Sequence, residues 1–331
     1  MNAPLLEVRD LGVVFATPRG AVHAVDGLDF TVGAGEVLGI VGESGSGKSV
    51  TLRAIPRLLH ANATVSGQVL WRGEDMLALP AERLRRLRGG QVAMVFQEPM
   101  SALNPVLPIG QQIDEVLVAH TSLDGRARRA RAVELLGLVG IASAAARLAQ
   151  YPHEFSGGMR QRAMIAIALA AEPALLLADE PTTALDVTIQ DQILQLLLRL
   201  VDELGMALVL VTHDLGVVAE TCDRVAVMYA GRLCETGTVG AVFGGPRHAY
   251  TDALLRSMPG TGTARERLVP IPGQPPRIDR PVAGCAFAPR CTHARPVCGT
   301  ERPRLTDWAE GHASACFAAD ELGAPLVGAV A

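Results

Sequence analysis

The sequence predicts an α/β fold in which parallel strands and helices form a core around a phosphate-binding loop. Three observations support this fold class. A glycine-rich stretch at residues 42–49 lies between an apolar strand at 37–41 and a helix predicted near 49–60. Beyond it, apolar strands alternate with helices, among them an amphipathic helix from Val187 to Leu204, which is the pattern of a parallel sheet. A final strand, Arg224 to Tyr229, is predicted to precede Gly231 and a short hairpin. Short β-type runs within residues 5–41, of which Leu6 to Val8 and Val13 to Phe15 are the first two, predict an additional antiparallel layer before the loop.

The glycine-rich stretch matches the phosphate-loop pattern G-x-x-x-x-G-K-[ST] in its strand–loop–helix context. Its glycines allow positive φ and let backbone N–H groups approach phosphate oxygens, and the following helix directs partial positive charge at the same anion. Lys48 can reach the β- and γ-phosphates, and the Ser49 hydroxyl can ligate Mg²⁺. A chance match in a Gly/Ser-rich turn is the alternative, and the flanking strand and helix disfavour it. The predicted contacts of a nucleoside triphosphate are Gly42, Ser44, Gly45, Ser46, Gly47, Lys48, Ser49 and Val50.

Composition limits the class of protein. The chain has 331 residues, enough for about two domains. Its net charge of −4 disfavours nucleic-acid binding. It shows neither a run of about 18 apolar residues nor a signal peptide, so we expect a cytosolic protein. In a reducing compartment, six cysteines are expected to be thiols or metal ligands rather than disulfides.

Several further residues are placed to contact the same nucleotide. Gln97, the pair Asp179–Glu180 and His213 each follow an apolar strand, and ligands of open α/β sheets bind at such strand ends. The aspartate suits a Mg²⁺ contact and the glutamate suits a base that positions water. Gln97 also has an ordinary interpretation as a loop residue, and His213 as a structural histidine. Phe15 could stack on an adenine ring or serve as a core residue.

A helical, Ala/Leu-rich region at about 105–172 is predicted to be an insertion into this core. It contains the turn Ser156-Gly157-Gly158 before an Ala/Ile-rich helix. Ser156 is a natural N-cap, and the two glycines leave amides free to approach an anion. By itself such a turn is common and is weak evidence of a site.

In this order the segments resemble those of the ATP-binding subunits of ABC transporters: 42–49, Gln97, 156–158, Asp179–Glu180, Ala-Leu-Asp at 184–186, and His213. The resemblance covers about residues 5–245. It departs from the commonest signature at Phe155, where Leu is usual, and at Met159, where Gln is usual. It implies a P-loop NTPase core with an antiparallel β subdomain and an inserted helical ABC subdomain.

The C-terminal part resembles the extension of the oligopeptide/dipeptide and nickel importer ATPases. The residues that carry this resemblance are His248-Ala249-Tyr250-Thr251, Ile271 to Pro276, the run from Cys285 to Cys291, Cys298 and Cys316. Ala249 stands where Pro is usual in that family. The resemblance divides the chain into a nucleotide-binding domain at 1–245 and an extension at 246–331.

The four cysteines Cys285, Cys291, Cys298 and Cys316 lack the C-x-x-C pair that is typical of structural zinc. Four thiolates can hold an iron–sulfur cluster, and the family favours [4Fe-4S]. Zn²⁺ and unliganded thiols remain alternatives. Cys222 and Cys234 are predicted to be small core residues.

The resemblance implies ATP hydrolysis at the interface of two such subunits. The implied catalytic residues are Lys48 on the phosphates, Glu180 on the attacking water and His213 on the γ-phosphate. The implied Mg²⁺ contacts are Ser49, Gln97 and, through a water molecule, Asp179. The residues implied to contact nucleotide from the signature and the Ala-Leu-Asp segment are Ser156, Gly157, Gly158 and Asp186.

The implied partners are a second ABC ATPase subunit, two transmembrane permeases and an extracytoplasmic binding protein, with this chain peripheral at the cytoplasmic face of the membrane. Oligopeptides or dipeptides are the expected cargo, and nickel or another small solute is the alternative. An ABC ATPase acting on nucleic acid or ribosomes would require a basic face, a long coiled coil or two phosphate loops. An exporter half would require a fused membrane domain. A cysteine segment that acts as a redox or iron sensor is compatible with the importer.

Overall fold

A computed structural model describes residues 3–183, 185–258, 270–276, 282–309 and 311–322. The strands are β1 (Leu6–Thr17), β2 (Gly20–Val32), β3 (Val37–Val41), β4 (Ala63–Trp71), β5 (Glu74–Asp75), β6 (Val92–Val95), β7 (Leu175–Asp179), β8 (Ala207–Val211), β9 (Arg224–Tyr229), β10 (Arg232–Thr238), β11 (Thr306–Ala309) and β12 (His312–Ser314). The helices are α1 (Lys48–Ala54), α2 (Ala81–Leu87), α3 (Pro99–Ala102), α4 (Ile109–His120), α5 (Gly125–Leu138), α6 (Ala144–Arg147), α7 (Gly157–Leu169), α8 (Val187–Leu204), α9 (Leu215–Thr221), α10 (Val239–Gly244) and α11 (Ala249–Arg256). Short 3₁₀ helices span Pro152–Glu154, Ala288–Arg290 and Pro296–Gly299.

The chain divides into two compact units. The helical unit comprises Val32–Val37 and Ala78–Val211. The phosphate-loop unit comprises Ala3–Thr31, Leu38–Leu77 and the described residues of Thr212–Ala331.

The helical unit is built on three parallel strands. β6 pairs with β7 and β7 with β8, and the last residue of β7, Asp179, lies opposite Val211. Every residue of β7 and β8 is buried, as expected for strands covered on both faces. The predicted helical insertion is confirmed as α4 to α7.

Helix α8 has the bounds that its amphipathic pattern predicts. Its buried residues recur at helical spacing: Ile193, Leu194, Leu196, Leu197, Leu200 and Val201. Asp186 caps the N-terminus, since its side chain accepts from the Ile189 N–H at 2.9 Å. Gly205 ends the helix in the left-handed conformation, with φ of 60°.

The predicted antiparallel layer is confirmed in the phosphate-loop unit, where the strand order is β2-β1-β4-β5. β1 is one strand with an irregularity between Arg9 and Gly12, whereas the sequence predicts two separate runs there. Helix α1 ends at Ala54, earlier than the predicted end near residue 60. Pro56 has no backbone N–H to continue the helix, and Arg57 takes a positive φ of 55°.

The C-terminal extension contributes strands to the phosphate-loop unit. β3 pairs in parallel with β9, and β9 forms the predicted hairpin with β10 through Gly231. β12 then adds to β10 and β11 to β12. Phe287 packs against Tyr229 and Tyr250, each with ring centroids 5.3 Å apart. The extension is therefore part of this unit's core.

Candidate nucleotide site

The phosphate loop adopts the backbone that its glycines predict. Gly42, Gly45 and Gly47 have φ of 150°, 78° and 102°, which only glycine adopts without strain. A Cβ at Gly42 would also overlap the carbonyl oxygen of Met228. Both facts make glycine necessary at position 42.

Lys48 lies at the first position of α1 and is 5% exposed. Its ammonium donates to the carbonyl oxygens of Gly42 at 2.7 Å and Glu43 at 3.0 Å, which holds it within the loop. The Ser46 hydroxyl is buried and has no hydrogen-bond partner among the described residues. A buried orphan hydroxyl is costly unless a ligand satisfies it, so this loop fits a phosphate group.

The remaining loop residues differ in exposure. Ser44 and Gly45 are exposed, and Ser49 and Val50 are half-buried in the first turn of α1. Gly231 donates its N–H to the Ser46 carbonyl at 2.9 Å, so the turn of the β9–β10 hairpin is hydrogen-bonded to the phosphate loop.

Glu43 is fixed by two residues that the sequence did not identify as site residues. Its N–H donates to the Tyr250 hydroxyl at 2.8 Å, and its carboxylate accepts two bonds from the Arg290 guanidinium. Hydrogen bonding to Glu43 raises the pKa of Arg290, and burial raises the pKa of Tyr250. Tyr250 and Arg290 both lie in the stretches that carry the family resemblance, but their spacing from Glu43 gives no sign of contact.

In the helical unit, the structure brings Gln97 and Glu180 together. The Gln97 amide donates to Glu180 Oε2 at 3.2 Å, and the Thr183 hydroxyl donates to the same oxygen at 2.8 Å. Glu180 has a positive φ of 46°, an uncommon conformation that is typical of functional sites. Asp179 is fully buried at the end of β7. Thr183 was not predicted as a site residue.

The predicted signature turn begins α7. Ser156 is the N-cap, and its hydroxyl accepts from the Met159 N–H at 3.4 Å. Phe155 is buried, and Gly157 and Gly158 form the first turn. A Cβ at Gly158 would lie 3.0 Å from the Ile189 side chain, which would have to shift by a few tenths of an ångström to accommodate it.

Three other predicted residues have simple placements. His213 is exposed between Thr212 and the N-cap of α9, and Phe15 is half-buried in β1. Asp186 is the N-cap of α8. Ala184, the first residue of the predicted Ala-Leu-Asp segment, lies outside the described residues.

The four cysteines of the extension line one small cavity: Cys285, Cys291, Cys298 and Cys316. Burial raises the pKa of the Cys291 thiol to about 11 and also raises the pKa values of Cys285 and Cys316. No cysteine of the described chain forms a disulfide. Nor do the described residues contain three or more His, Cys, Asp or Glu side chains grouped to hold one metal ion.

Cys222 and Cys234, predicted as core residues, pack into or against the apolar core of the phosphate-loop unit. Burial, together with the nearby Cys285, Glu235 and Cys316, raises the pKa of Cys234 well above the ordinary value. In the part of the chain that the structure describes, no helix is both long enough and apolar enough to cross a bilayer.

Two family models match the chain. One, described as ABC transporter, matches residues 25–183, and the other, described as the oligopeptide/dipeptide transporter C-terminal region, matches residues 234–298.

The chain is similar over nearly its whole length to several named proteins. A Brucella abortus protein that carries the name peptide import ATP-binding protein is 51% identical over 316 residues, and the match covers 95% of each chain. The oligopeptide transport ATP-binding protein OppD of Haemophilus influenzae is 48% identical and covers 96% of this chain and 98% of its own. OppD of Escherichia coli is 48% identical over 313 residues, covering 95% of this chain and 93% of its own.

Solved structures share the fold. The ATP-binding cassette MJ0796, in a dimeric post-hydrolysis state bound to ADP and Pi, matches with a TM-score of 0.64 and 29% identity. The match covers 71% of this chain and 98% of that chain. The protein cbiO1 from Clostridium perfringens, part of the ABC transporter complex cbiONQ, matches with a TM-score of 0.62 and 29% identity, over 73% of this chain and 91% of its own.

Proposed function

The chain belongs to the ABC transporter family as an ATP-binding and ATP-hydrolysing subunit, and from this premise we propose that it energises an importer of oligopeptides or dipeptides. The observation that carries the cargo class is the match of residues 234–298 to the oligopeptide/dipeptide transporter C-terminal region. Relatives about half identical in sequence are named for peptide import. The proposed division is a nucleotide-binding domain at 1–245 and an extension at 246–331.

In the proposed phosphate contacts, Lys48 and the loop amides hold the β- and γ-phosphates. The buried, unsatisfied Ser46 hydroxyl supports this proposal, because a phosphate oxygen would supply its missing acceptor. Ser49 and Asp179, with Gln97, would hold Mg²⁺, whose charge neutralises the triphosphate when it is bound. Phe15 would stack on the adenine.

For hydrolysis, we assign the positioning of the attacking water to Glu180. Its carboxylate is restrained by Gln97 and Thr183, which both donate to Oε2. A restrained carboxylate loses little freedom on binding water, so orientation contributes to the rate. His213 would contact the γ-phosphate.

A second ATPase subunit would complete the site. The N-terminus of α7, formed by Ser156, Gly157 and Gly158, would contact the nucleotide bound to the partner subunit. Asp186, the N-cap of α8, would also contact nucleotide. The dimeric state of the similar MJ0796 cassette supports this arrangement. Closure around ATP would then drive two permeases that receive cargo from an extracytoplasmic binding protein, with the chain peripheral at the cytoplasmic face of the membrane.

A [4Fe-4S] cluster is our proposal for the cysteine cavity. The donor set fits this group, since four thiols line one cavity and Fe–S clusters are held by four cysteines. Each thiolate of such a cluster binds its own iron, so the thiols need not converge on one point as they must for a single Zn²⁺. When bound, the cluster would supply charge compensation that keeps its ligands deprotonated. The cluster proposal is tested by measuring the iron content of anaerobic protein and its absorption band at about 400 nm. Protein that instead contained one equivalent of zinc would replace the cluster proposal with a zinc site.

Uptake by cells tests the importer. Deletion of the gene for this chain should abolish uptake of a radiolabelled tripeptide, and wild-type protein should restore it. Glu180→Gln should not restore uptake, whereas Glu203→Gln, at an exposed position of α8, should. If the deletion strain lost Ni²⁺ uptake and kept tripeptide uptake, the cargo would be nickel and the proposal of a peptide cargo would be wrong.

A further inference from the structure

Arg290 joins the extension to the phosphate loop. Its guanidinium makes two parallel bonds to the Glu43 carboxylate, at 2.6 and 2.9 Å, and a third to the Tyr229 hydroxyl at 3.1 Å. Its Nε donates to the Pro272 carbonyl at 2.7 Å. The Arg290 side chain is 5% exposed and the Glu43 side chain is 24% exposed, so the pair is screened by salt less than a fully exposed pair would be.

The segment that carries Arg290 is built around the cysteine cavity. Arg290 ends the 3₁₀ helix Ala288–Arg290, and Cys291 follows it directly. The Ala288 N–H donates to the Cys285 carbonyl at 3.1 Å, and the Cys285 N–H donates to the Cys298 carbonyl at 2.8 Å. Ala288 and these three cysteines all line the cavity. A change at the cavity therefore acts on the backbone that aims Arg290.

Glu43 directly precedes the exposed part of the phosphate loop, and it is bonded through its side chain, its N–H and its carbonyl oxygen. The two positions that follow it, Ser44 and Gly45, are exposed. Its carbonyl also accepts from the Lys48 ammonium, so the bond to Arg290 and the position of Lys48 share one residue. A loop already held in its binding conformation pays less conformational entropy when a ligand binds.

We propose that Arg290 is a positioning residue that makes nucleotide affinity depend on the state of the four-cysteine cavity. With the cavity intact, Arg290 holds Glu43 and preorganises the loop for phosphate. When the cavity loses a thiol, the turn that carries Arg290 loosens and nucleotide binds more weakly. This inference rests on the proposed nucleotide site, because it concerns the affinity of that site.

The first experiment measures the equilibrium binding of MgADP to the full chain. Arg290→Gln should raise the Kd about tenfold. Arg290→Lys keeps the charge but cannot make two parallel hydrogen bonds to the carboxylate, so its Kd should lie between those of Arg290→Gln and wild type. The double variant Glu43→Gln/Arg290→Gln should have a Kd no higher than that of either single variant, because each single change already breaks the same pair. The matched control is Arg302→Gln, which removes another arginine of the extension, 44% exposed and paired with Asp26, and should leave the Kd unchanged.

Steady-state kinetics separate positioning from a loss of folded protein. Arg290→Gln should raise the KM for ATP, whereas a smaller folded fraction would lower the apparent kcat and leave KM unaltered. An unchanged KM and an unchanged Kd would overturn the proposal.

The second experiment tests the link to the cavity. Cys291→Ala should raise the MgADP Kd at least about threefold in the wild-type chain and have no further effect in the Arg290→Gln background. Equal effects in both backgrounds, or no effect in either, would refute the link. Wild-type protein that failed to bind MgADP would instead refute the nucleotide site itself, so the two failures are distinguishable.

Discussion

The Gln97 side-chain amide donates to Glu180 Oε2 at 3.2 Å, across 83 residues of sequence. The Thr183 hydroxyl donates to the same oxygen at 2.8 Å. The carboxylate that we assign to the attacking water is therefore aimed by one residue predicted from the sequence and by one that was not.

Thr183→Val keeps the side-chain shape and removes this hydroxyl. We expect kcat for ATP hydrolysis to fall at least about tenfold, because a hydrogen bond to a charged group contributes about 1.5–3 kcal/mol. The Kd for MgADP should not change. Thr221→Val is the matched control, since its hydroxyl donates to the Val217 carbonyl within α9. Equal kcat values for wild type and Thr183→Val would remove Thr183 from this role.

Lys48 is the only lysine in the sequence, so an amine-reactive reagent can modify this side chain selectively. An amine-reactive acetylating reagent should modify only Lys48 and the N-terminal amine, and acetylation of Lys48 should abolish MgADP binding because the charge is lost. Saturating MgATP should protect Lys48 and leave labelling of the N-terminal amine unaltered, as read by peptide mass spectrometry. Labelling of Lys48 that is independent of nucleotide would contradict its contact with phosphate.

Gly42→Ala should weaken MgADP binding at least about tenfold. The new Cβ would meet the Met228 carbonyl, and the φ of 150° would be strained for alanine, at a cost of about 1–3 kcal/mol. Gly240→Ala is a suitable control, because a Cβ at that position would meet no atom within 4 Å and its φ is not positive. Calorimetric titration of both variants measures the difference, and equal affinities would speak against the loop geometry.

Cys222 should behave as an unreactive core thiol. Burial raises its pKa to about 11, so near pH 8 only about a thousandth of it is thiolate, the nucleophilic form. Its alkylation by iodoacetamide should be at least about a hundredfold slower in native than in urea-unfolded protein. The native rate should rise about tenfold per pH unit between about pH 8 and 10, because the thiolate fraction rises tenfold per unit below the pKa. Rapid labelling at pH 7, measured by mass spectrometry, would show instead an exposed thiolate.

Local patterns predicted much of what the structure contains. The positive φ values of the loop glycines follow from the phosphate-loop pattern, and the bounds of α8 follow from its apolar periodicity. The early end of α1 was missed, although Pro56 marks it. Helical periodicity alone does not weigh the loss of a backbone donor at a single proline.

By itself, the sequence determined the order of the elements, the phosphate loop and the family, because these depend on residue types at short spacing along the chain. Only the tertiary structure decided that Arg290 bonds to Glu43, that Tyr250 receives the Glu43 N–H, and that the four cysteines share a cavity. Such contacts join residues up to 247 positions apart. They arise when strands such as β12 add to β10, and this pairing depends on how the buried faces fit rather than on any local pattern.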